Sequence, residues 1–70
     1  MTTFTKSDFN KAKDAAHDAF INEGTEAAMC IATQKVMALD ANLIAGKYVE
    51  ELRQVANRYE RMLQVERDRT

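Results

Sequence analysis

TEAAMCIATQKVMALDANLIAG, residues 25–46, is the stretch that decides how the rest of the chain must fold. Fourteen of its 22 residues are apolar, and its charged side chains are Glu26, Lys35 and Asp40. The segments before and after it are densely charged. We therefore expect this stretch to form the central element of the protein and to be covered by the rest of the chain.

Apolar residues in this stretch recur at spacings of three and four, the period of one face of an α-helix. The pattern predicts a core or oligomer seam made of Met29, Ala32, Val36, Leu39 and Leu43. The rest of the circumference is also largely apolar, so this helix should be buried on more than one side. Two interpretations remain open: the middle helix of a three-helix bundle, or a helix sandwiched between its own chain and a second subunit. Charged and polar interruptions argue against a membrane span.

The length of the chain favours self-association. Seventy residues make one small domain, and domains of this size usually add a disulfide, a metal or oligomerisation to a small core. Cys30 is the single cysteine, so no disulfide forms within one chain. One cysteine with one histidine cannot build a four-ligand zinc site. We expect a dimer or higher oligomer with no cofactor.

The composition also limits the compartment and the class of partner. Cys30 lies in an apolar run and is expected to be a small buried residue in a reducing, cytoplasmic setting. The residues after Met1 lack the pattern of a secretory signal. The 10 basic and 11 acidic residues are spread evenly, which argues against a basic nucleic-acid module and an acidic DNA mimic, because both need a field of one sign.

The first helix is predicted over residues 6–22, and two independent signals mark its start. Thr5 and Asp8 have the spacing of a capping box, and Phe4 and Phe9 have the spacing of a hydrophobic staple. Its inward stripe is expected to place small residues between two aromatic ends: Phe9, Ala12, Ala16, Ala19 and Phe20.

A tight connection should follow the first helix. Gly24 is expected to end that helix in a left-handed conformation, and Thr25 to cap a second helix over residues 26–45. So short a connection predicts that the two helices are antiparallel neighbours.

The last predicted helix, residues 47–67, has an apolar stripe that is out of phase with the stripe of the central helix. The chain therefore turns between the two, with Gly46 as the expected breaker, or it continues as one long helix with two faces. The fold class predicted is all-α: a small three-helix bundle, or a helical hairpin with a long second helix, completed by oligomerisation. Residues 1–70 are expected to form a single helical domain.

Candidate catalytic and metal sites in the sequence are weak. Asp14, His17 and Asp18 share a helix face, and Cys30 could join them in space. We interpret them instead as solvated residues around a surface histidine. Two glycines cannot build a phosphate-cradling loop, and no nucleophile motif is present. No catalytic, cofactor-binding or metal site is expected, and the protein is not expected to be an enzyme.

The last helix carries the residues expected to contact a partner protein, because tyrosine, arginine and methionine are common in interfaces. These candidates are Tyr48, Leu52, Arg53, Val55, Tyr59, Arg61 and Met62. The expected function is a small, non-catalytic, homo-oligomeric protein-binding module, an accessory regulator or inhibitor of a class that phages also encode. The alternative is a small nucleic-acid-associated regulator that uses the arginines of this helix, although interleaved acidic residues weigh against it.

Overall fold

Three α-helices form the computed structural model, which describes residues 3–69. The helices are α1 (Lys6–Glu23), α2 (Thr25–Ala41) and α3 (Lys47–Asp68). No strand occurs within the described residues, so the predicted all-α class is confirmed. The alternative of one long second helix is wrong, because the chain turns between α2 and α3. Residues 1, 2 and 70 of the predicted domain lie outside the described part.

The start of α1 has the predicted capping box. The Asp8 backbone N–H donates to Thr5 Oγ1 at 3.2 Å, and the Thr5 backbone N–H donates to Asp8 Oδ2 at 3.2 Å. Phe4 and Phe9 are both partly buried and pack against the same core cluster. The reciprocal bonds satisfy two backbone donors at the helix start that have no intrahelical partner.

Acid is expected to weaken this cap. The hydrogen bonds from the backbone and the hydroxyl of Thr5 lower the pKa of the Asp8 carboxyl. A carboxyl group with a lower pKa in the folded state contributes stability above the unfolded pKa of about 3.9, and the contribution is lost as the pH falls through the folded pKa. Melting curves from pH 7 to pH 2 should therefore show a steeper acid loss for the wild type than for Asp8→Asn. Equal slopes would contradict this role of Asp8.

A single residue, Gly24, separates α1 from α2. Its φ of 104° and ψ of −177° belong to an extended region that only glycine adopts readily, not to the left-handed helical conformation predicted. Its N–H donates to the carbonyls of Ala19 and Phe20, both at 3.1 Å. Gly24 therefore ends one helix and occupies the N-cap position of the next.

The predicted cap at Thr25 is wrong because Gly24 takes that position. Thr25 is instead the first residue of α2 and is buried. Its hydroxyl donates to Glu66 Oε1 at 2.8 Å. This bond ties the start of α2 to the end of α3, across 41 residues of sequence.

α2 ends at Ala41, earlier than predicted, because Leu43 adopts the left-handed conformation with a φ of 57°. The Leu43 N–H donates to the Asp40 carbonyl at 3.1 Å, and the Ile44 N–H donates to the Leu39 carbonyl at 2.9 Å. This is the Schellman pattern, in which glycine usually holds the position of Leu43. Leu43 is 92% exposed. Its predicted place in the seam is wrong for the core of one chain, since it lies beyond α2, and stays a prediction for an oligomer seam.

Gly46 begins α3 and does not end α2. Its φ of 149° and ψ of −179° again lie where only glycine is comfortable. No atom lies within 4 Å of the position a Cβ would take, so the backbone alone opposes a side chain.

Gly46→Ala is expected to lower the free energy of unfolding by about 1–3 kcal/mol, the cost of holding an L-residue in such a region. The converse change, Leu43→Gly, puts glycine at a left-handed position and should raise the free energy of unfolding by up to about 1 kcal/mol. The urea midpoints of the two variants, compared with that of the wild type, show whether each change destabilises or stabilises the protein. A raised midpoint for Gly46→Ala would contradict this backbone conformation.

The core lies where α2 contacts both neighbouring helices, and small side chains dominate it. The buried apolar residues are Ala12, Ala16, Ala19, Ala28, Ala32, Val36, Val49, Leu52, Ala56 and Leu63. One cluster joins an alanine from each helix: Ala16, Ala32 and Ala56. In the predicted seam, Ala32 and Val36 are buried, while Met29 and Leu39 are partly buried. The alanines allow the three helices to approach closely, and the predicted inward stripe of α1 is confirmed.

α1 and α3 run in the same direction, and each packs more closely on α2 than on the other. They meet through two tilted ring pairs. The ring centroids of Phe9 and Tyr48 lie 5.9 Å apart, and those of Phe20 and Tyr59 lie 5.7 Å apart. Because α2 covers one side of this helix pair, the opposite side is left as an open groove.

Candidate protein-binding groove

Two adjoining hollows lie along the open side of α3, and α1 lines the first of them. The first, between the two helices, has a volume of about 450 Å³ and is lined by Lys13, Asp14, His17, Val55, Arg58, Tyr59 and Met62. The second, along the C-terminal half of α3, has a volume of about 520 Å³ and is lined by Arg58, Arg61, Met62, Val65, Glu66 and Arg69. Arg58 and Met62 line both, so the hollows form one continuous surface, which we call the α1/α3 groove.

Apolar side chains form the floor of the groove. Val55 and Tyr59 are partly buried, whereas Met62 is 41% and Val65 is 47% exposed. These residues lie beside the core stripe of α3 and not within it, because spacings of three and four keep each set on its own side of the helix. The floor is therefore a second apolar stripe that the rest of the described chain covers only in part.

Charged side chains form the rims of the groove, and bases outnumber acids there. Of the 10 basic and 11 acidic residues in the chain, four bases and two acids line it. The bases are Lys13, Arg58, Arg61 and Arg69, and the acids are Asp14 and Glu66. Glu66 Oε1 already accepts a hydrogen bond from the Thr25 hydroxyl, with 2.8 Å between the two oxygens. The groove is thus a locally basic surface on a chain with a net charge of −1.

Aromatic contacts hold the α1 wall of the groove. The Phe20 ring lies between the ring of Tyr59, 5.7 Å away, and the ring of His17, 6.5 Å away. Lys13 Nζ lies 5.5 Å from the centre of the Phe9 ring, a distance at which a cation is attracted to an aromatic face. These contacts place Lys13 and His17 along one rim, opposite the arginines of α3.

The weak metal candidate does not assemble into a ligand set. Asp14, His17 and Asp18 are all exposed on α1. Within residues 3–69, no group of three or more His, Cys, Asp or Glu side chains is placed to hold a metal ion. Cys30 is free and exposed, so the prediction that it is buried is wrong. Cys30 follows the buried Ala28 by two residues, so its side chain lies on the opposite side of α2, away from α1 and α3.

His17→Ala is expected to change the free energy of unfolding by less than about 0.5 kcal/mol, the usual range for exposed positions. The side chain is exposed, and its ring contact with Phe20 lies at the surface. Thermal melts of the two proteins measure the difference. A loss above about 1 kcal/mol would mean that the ring contact supports the fold.

The structure brings four of the predicted partner-binding residues together in the groove and separates the other three. Those in the groove are Val55, Tyr59, Arg61 and Met62. Leu52 is 0% exposed and faces the core, so its prediction as a contact residue is wrong. Arg53 lies on the α2 side, where its guanidinium donates to Asp40 at 2.9 Å. Tyr48 is partly buried against Phe9.

Sequence analysis did not identify Lys13, Arg58, Val65 and Arg69 as groove residues. Arg58, Val65 and Arg69 could have been found from the sequence. With Met62 they recur at spacings of four, three and four, which places all four on one helix face. No comparable signal marks Lys13, because its position depends on how α1 packs against α3.

No protein-family model, curated protein or solved structure matches the chain. The α1/α3 groove is therefore interpreted from its own geometry and chemistry. Among residues 3–69, no helix has both the length and the apolar character needed to cross a bilayer.

Proposed function

We propose that the chain is a small, non-catalytic protein-binding module that holds a partner protein in the α1/α3 groove. The observation that carries this proposal is the exposed apolar floor, Met62 and Val65 above all, beside a rim of arginines. Arginine, tyrosine and methionine are enriched in protein interfaces. A partner that covered the floor would remove apolar surface from water, at about 25 cal/mol per Å².

A module of this kind acts by occupying the surface of its partner. We propose that it is an accessory regulator or inhibitor in the cytoplasm, of the class that phages, among others, encode. The groove offers apolar and guanidinium contacts, which suit recognition of another protein. The free, exposed Cys30 suits a reducing compartment.

Photo-crosslinking tests the groove. A benzophenone amino acid at position 65 lies within the groove, and the same group at Asn57 lies at an exposed position of α3 that lines neither hollow of the groove. In the native cells of this protein, the probe at position 65 is expected to form a discrete protein adduct that the probe at position 57 does not form. Identical adduct patterns, or no adduct from position 65, would overturn the proposal.

We also propose that the chain associates with itself. The sequence predicts that α2 is buried on more than one side, yet in the single chain one side of α2 is uncovered. Cys30, Met37, Ala38 and Ala41 are exposed there. A second copy against this face would bury it, which the small size of the core makes useful for stability.

Light scattering coupled to size exclusion tests self-association. The expected mass exceeds the 7.9 kDa of one chain and rises with concentration. Met37→Glu should lower the mass to that of one chain with an unchanged helical signal. Gln64→Glu adds the same charge at an exposed position of α3 and should leave the mass unaltered. A monomer at every concentration would overturn self-association without affecting the groove.

A second candidate function is association with nucleic acid through α3. The outer surface of α3 exposes amide and guanidinium groups side by side: Gln54, Asn57, Arg58, Arg61 and Gln64. Such groups contact phosphates and base edges, but Glu60 lies among them and would repel phosphate. Retention on duplex DNA that falls steeply with salt would support this function. A protein that passes through the DNA column unretained at about 50 mM salt would exclude this function.

A further inference from the structure

We infer that the occupant of the α1/α3 groove is an amphipathic α-helix with an acidic polar face, supplied by another protein. This inference rests on the proposed function and adds the chemical class of the partner. Three features of the groove lead to it: its position in the helix arrangement, the spacing of its floor, and the charge of its rims.

The groove has the place of a missing fourth helix. α1 and α3 run side by side in the same direction with α2 behind them, so the described chain fills three of the four positions of a four-helix bundle. From Val55 to Arg69 the groove spans 15 residues, or 14 helical steps, which is about 21 Å at 1.5 Å per residue. α1 lines the part from Val55 to Met62, and residues of the C-terminal segment alone line the rest. A helix of about four turns matches that length.

The floor is spaced to receive a helix. Val55, Tyr59 and Met62 follow one another at spacings of four and three, so together they form a continuous apolar strip along α3. A helix in a groove is held by apolar anchors that repeat with the same period. Tyr59 is braced by the Phe20 ring at 5.7 Å, whereas the exposed and unbranched Met62 can adapt to the anchors.

The rims select the sign of the charge on the partner. Lys13 stands on the α1 side, and Arg58, Arg61 and Arg69 stand on the α3 side, against Asp14 and Glu66. Acidic side chains on the α3 side of a bound helix would lie near three arginines, whereas on the α1 side Lys13 stands beside Asp14. A basic flank would meet like charge, which costs affinity and slows association.

A second copy of this chain matches the charge of the rims less well than an acidic helix of another protein would. The uncovered side of α2 is apolar around Met37 and has Glu26 at one end. On the exposed side of α1, the acidic residues Asp14 and Asp18 accompany a single large apolar residue, Ile21. Within residues 3–69, neither exposed side combines a row of large apolar anchors with acidic flanks. The charge of the groove therefore points to a different protein.

Two stapled 16-residue peptides test the inference by fluorescence anisotropy. Both have leucines at helical spacings of three and four and a hydrocarbon staple on the outer face. One has glutamate at every flanking position, and the other has lysine at the same positions. We expect the glutamate peptide to bind at least ten-fold more tightly at about 50 mM salt, and the ratio to shrink at about 300 mM salt because rim charges are screened.

Charge reversal locates the effect. The double variant Arg58→Glu with Arg61→Glu should reverse the preference in favour of the lysine peptide. The matched double variant Lys11→Glu with Lys35→Glu carries the same change of charge, but both residues line a separate hollow between α1 and α2. It should keep the preference of the wild type, since those bases do not line the α1/α3 groove.

The outcomes distinguish the partner class from the function itself. Equal affinity for the two peptides, or an equal effect of the two double variants, overturns the acidic helix. If the position-65 probe still forms its protein adduct, the protein-binding function stands while the acidic helix fails. If reversal of Arg58 and Arg61 instead dissociates a dimer in light scattering, the occupant is a second copy and the inference is wrong.

Discussion

Val36→Glu is expected to remove a large part of the stability of the fold. Val36 is 5% exposed and packs in a cluster with Ala12 and Leu52. The partly buried residues around this cluster are also apolar: Phe4, Phe9, Leu39 and Val55. A carboxylate here would be charged and without a partner, which costs about 3–5 kcal/mol. A domain of this length has a stability of about 4–10 kcal/mol, so much or all of it would be lost.

Circular dichroism and urea unfolding measure this effect. Gln64→Glu is the matched control, because it adds the same charge at an exposed position of α3 and should shift stability by less than about 0.5 kcal/mol. A full helical signal and an unchanged urea midpoint in Val36→Glu would show that this side of α2 is not interior.

Leu52→Ala should lower the free energy of unfolding by about 2–5 kcal/mol, the range for truncating a buried leucine. Leu52 is 0% exposed and contacts core residues from α1 and α2. Removing three carbons leaves a cavity that rigid helices fill only in part. Leu52 was predicted as a contact residue for a partner, so this measurement also separates a core role from an interface role.

Leu43→Ala is the matched control for Leu52→Ala, because it removes the same atoms at a position that is 92% exposed. We expect a change below about 0.5 kcal/mol. The difference between the two variants therefore reports burial, with the chemistry held constant. If Leu43→Ala costs much more, and the cost rises with protein concentration, then a second copy covers Leu43.

Features that depend on neighbouring residues were predictable from the sequence. The capping box needs Thr5 and Asp8, which are three residues apart, and both of its hydrogen bonds form. The inward alanines of α1 were predictable for the same reason, because helical periodicity alone places them on one side. The two helix stripes that are out of phase left two alternatives, a turn or one long helix with two faces, and the structure has the turn.

The manner of that turn was not predictable from residue preferences. Glycine is favoured where a helix ends in the left-handed conformation, so Gly46 was the expected breaker. Leu43 takes the left-handed position instead, with a φ of 57°. The resulting turn leaves Ile44 partly buried and sets Gly46 at the start of α3. Preferences of about 1–2 kcal/mol per residue are small enough for tertiary packing to override.

Composition could not show which side of α2 is covered. The helix is apolar nearly all round, so the sequence predicted burial on several sides, and Cys30 was expected to be inside. In the structure α1 and α3 both pack on the side of Ala28 and Ala32 and leave Cys30 exposed. The number and placement of neighbouring helices decide this, and neither is encoded in the periodicity of α2.

The sequence by itself determined the all-α class, the start of α1 and the stripe that α1 turns inward, because these follow from contacts within a few residues. Tertiary structure alone decided the α1/α3 groove. Lys13 and Arg58 line the same hollow although 45 residues separate them in the chain. Their proximity depends on how α1 and α3 pack together against α2, which is a long-range outcome of side-chain volume that periodicity does not specify.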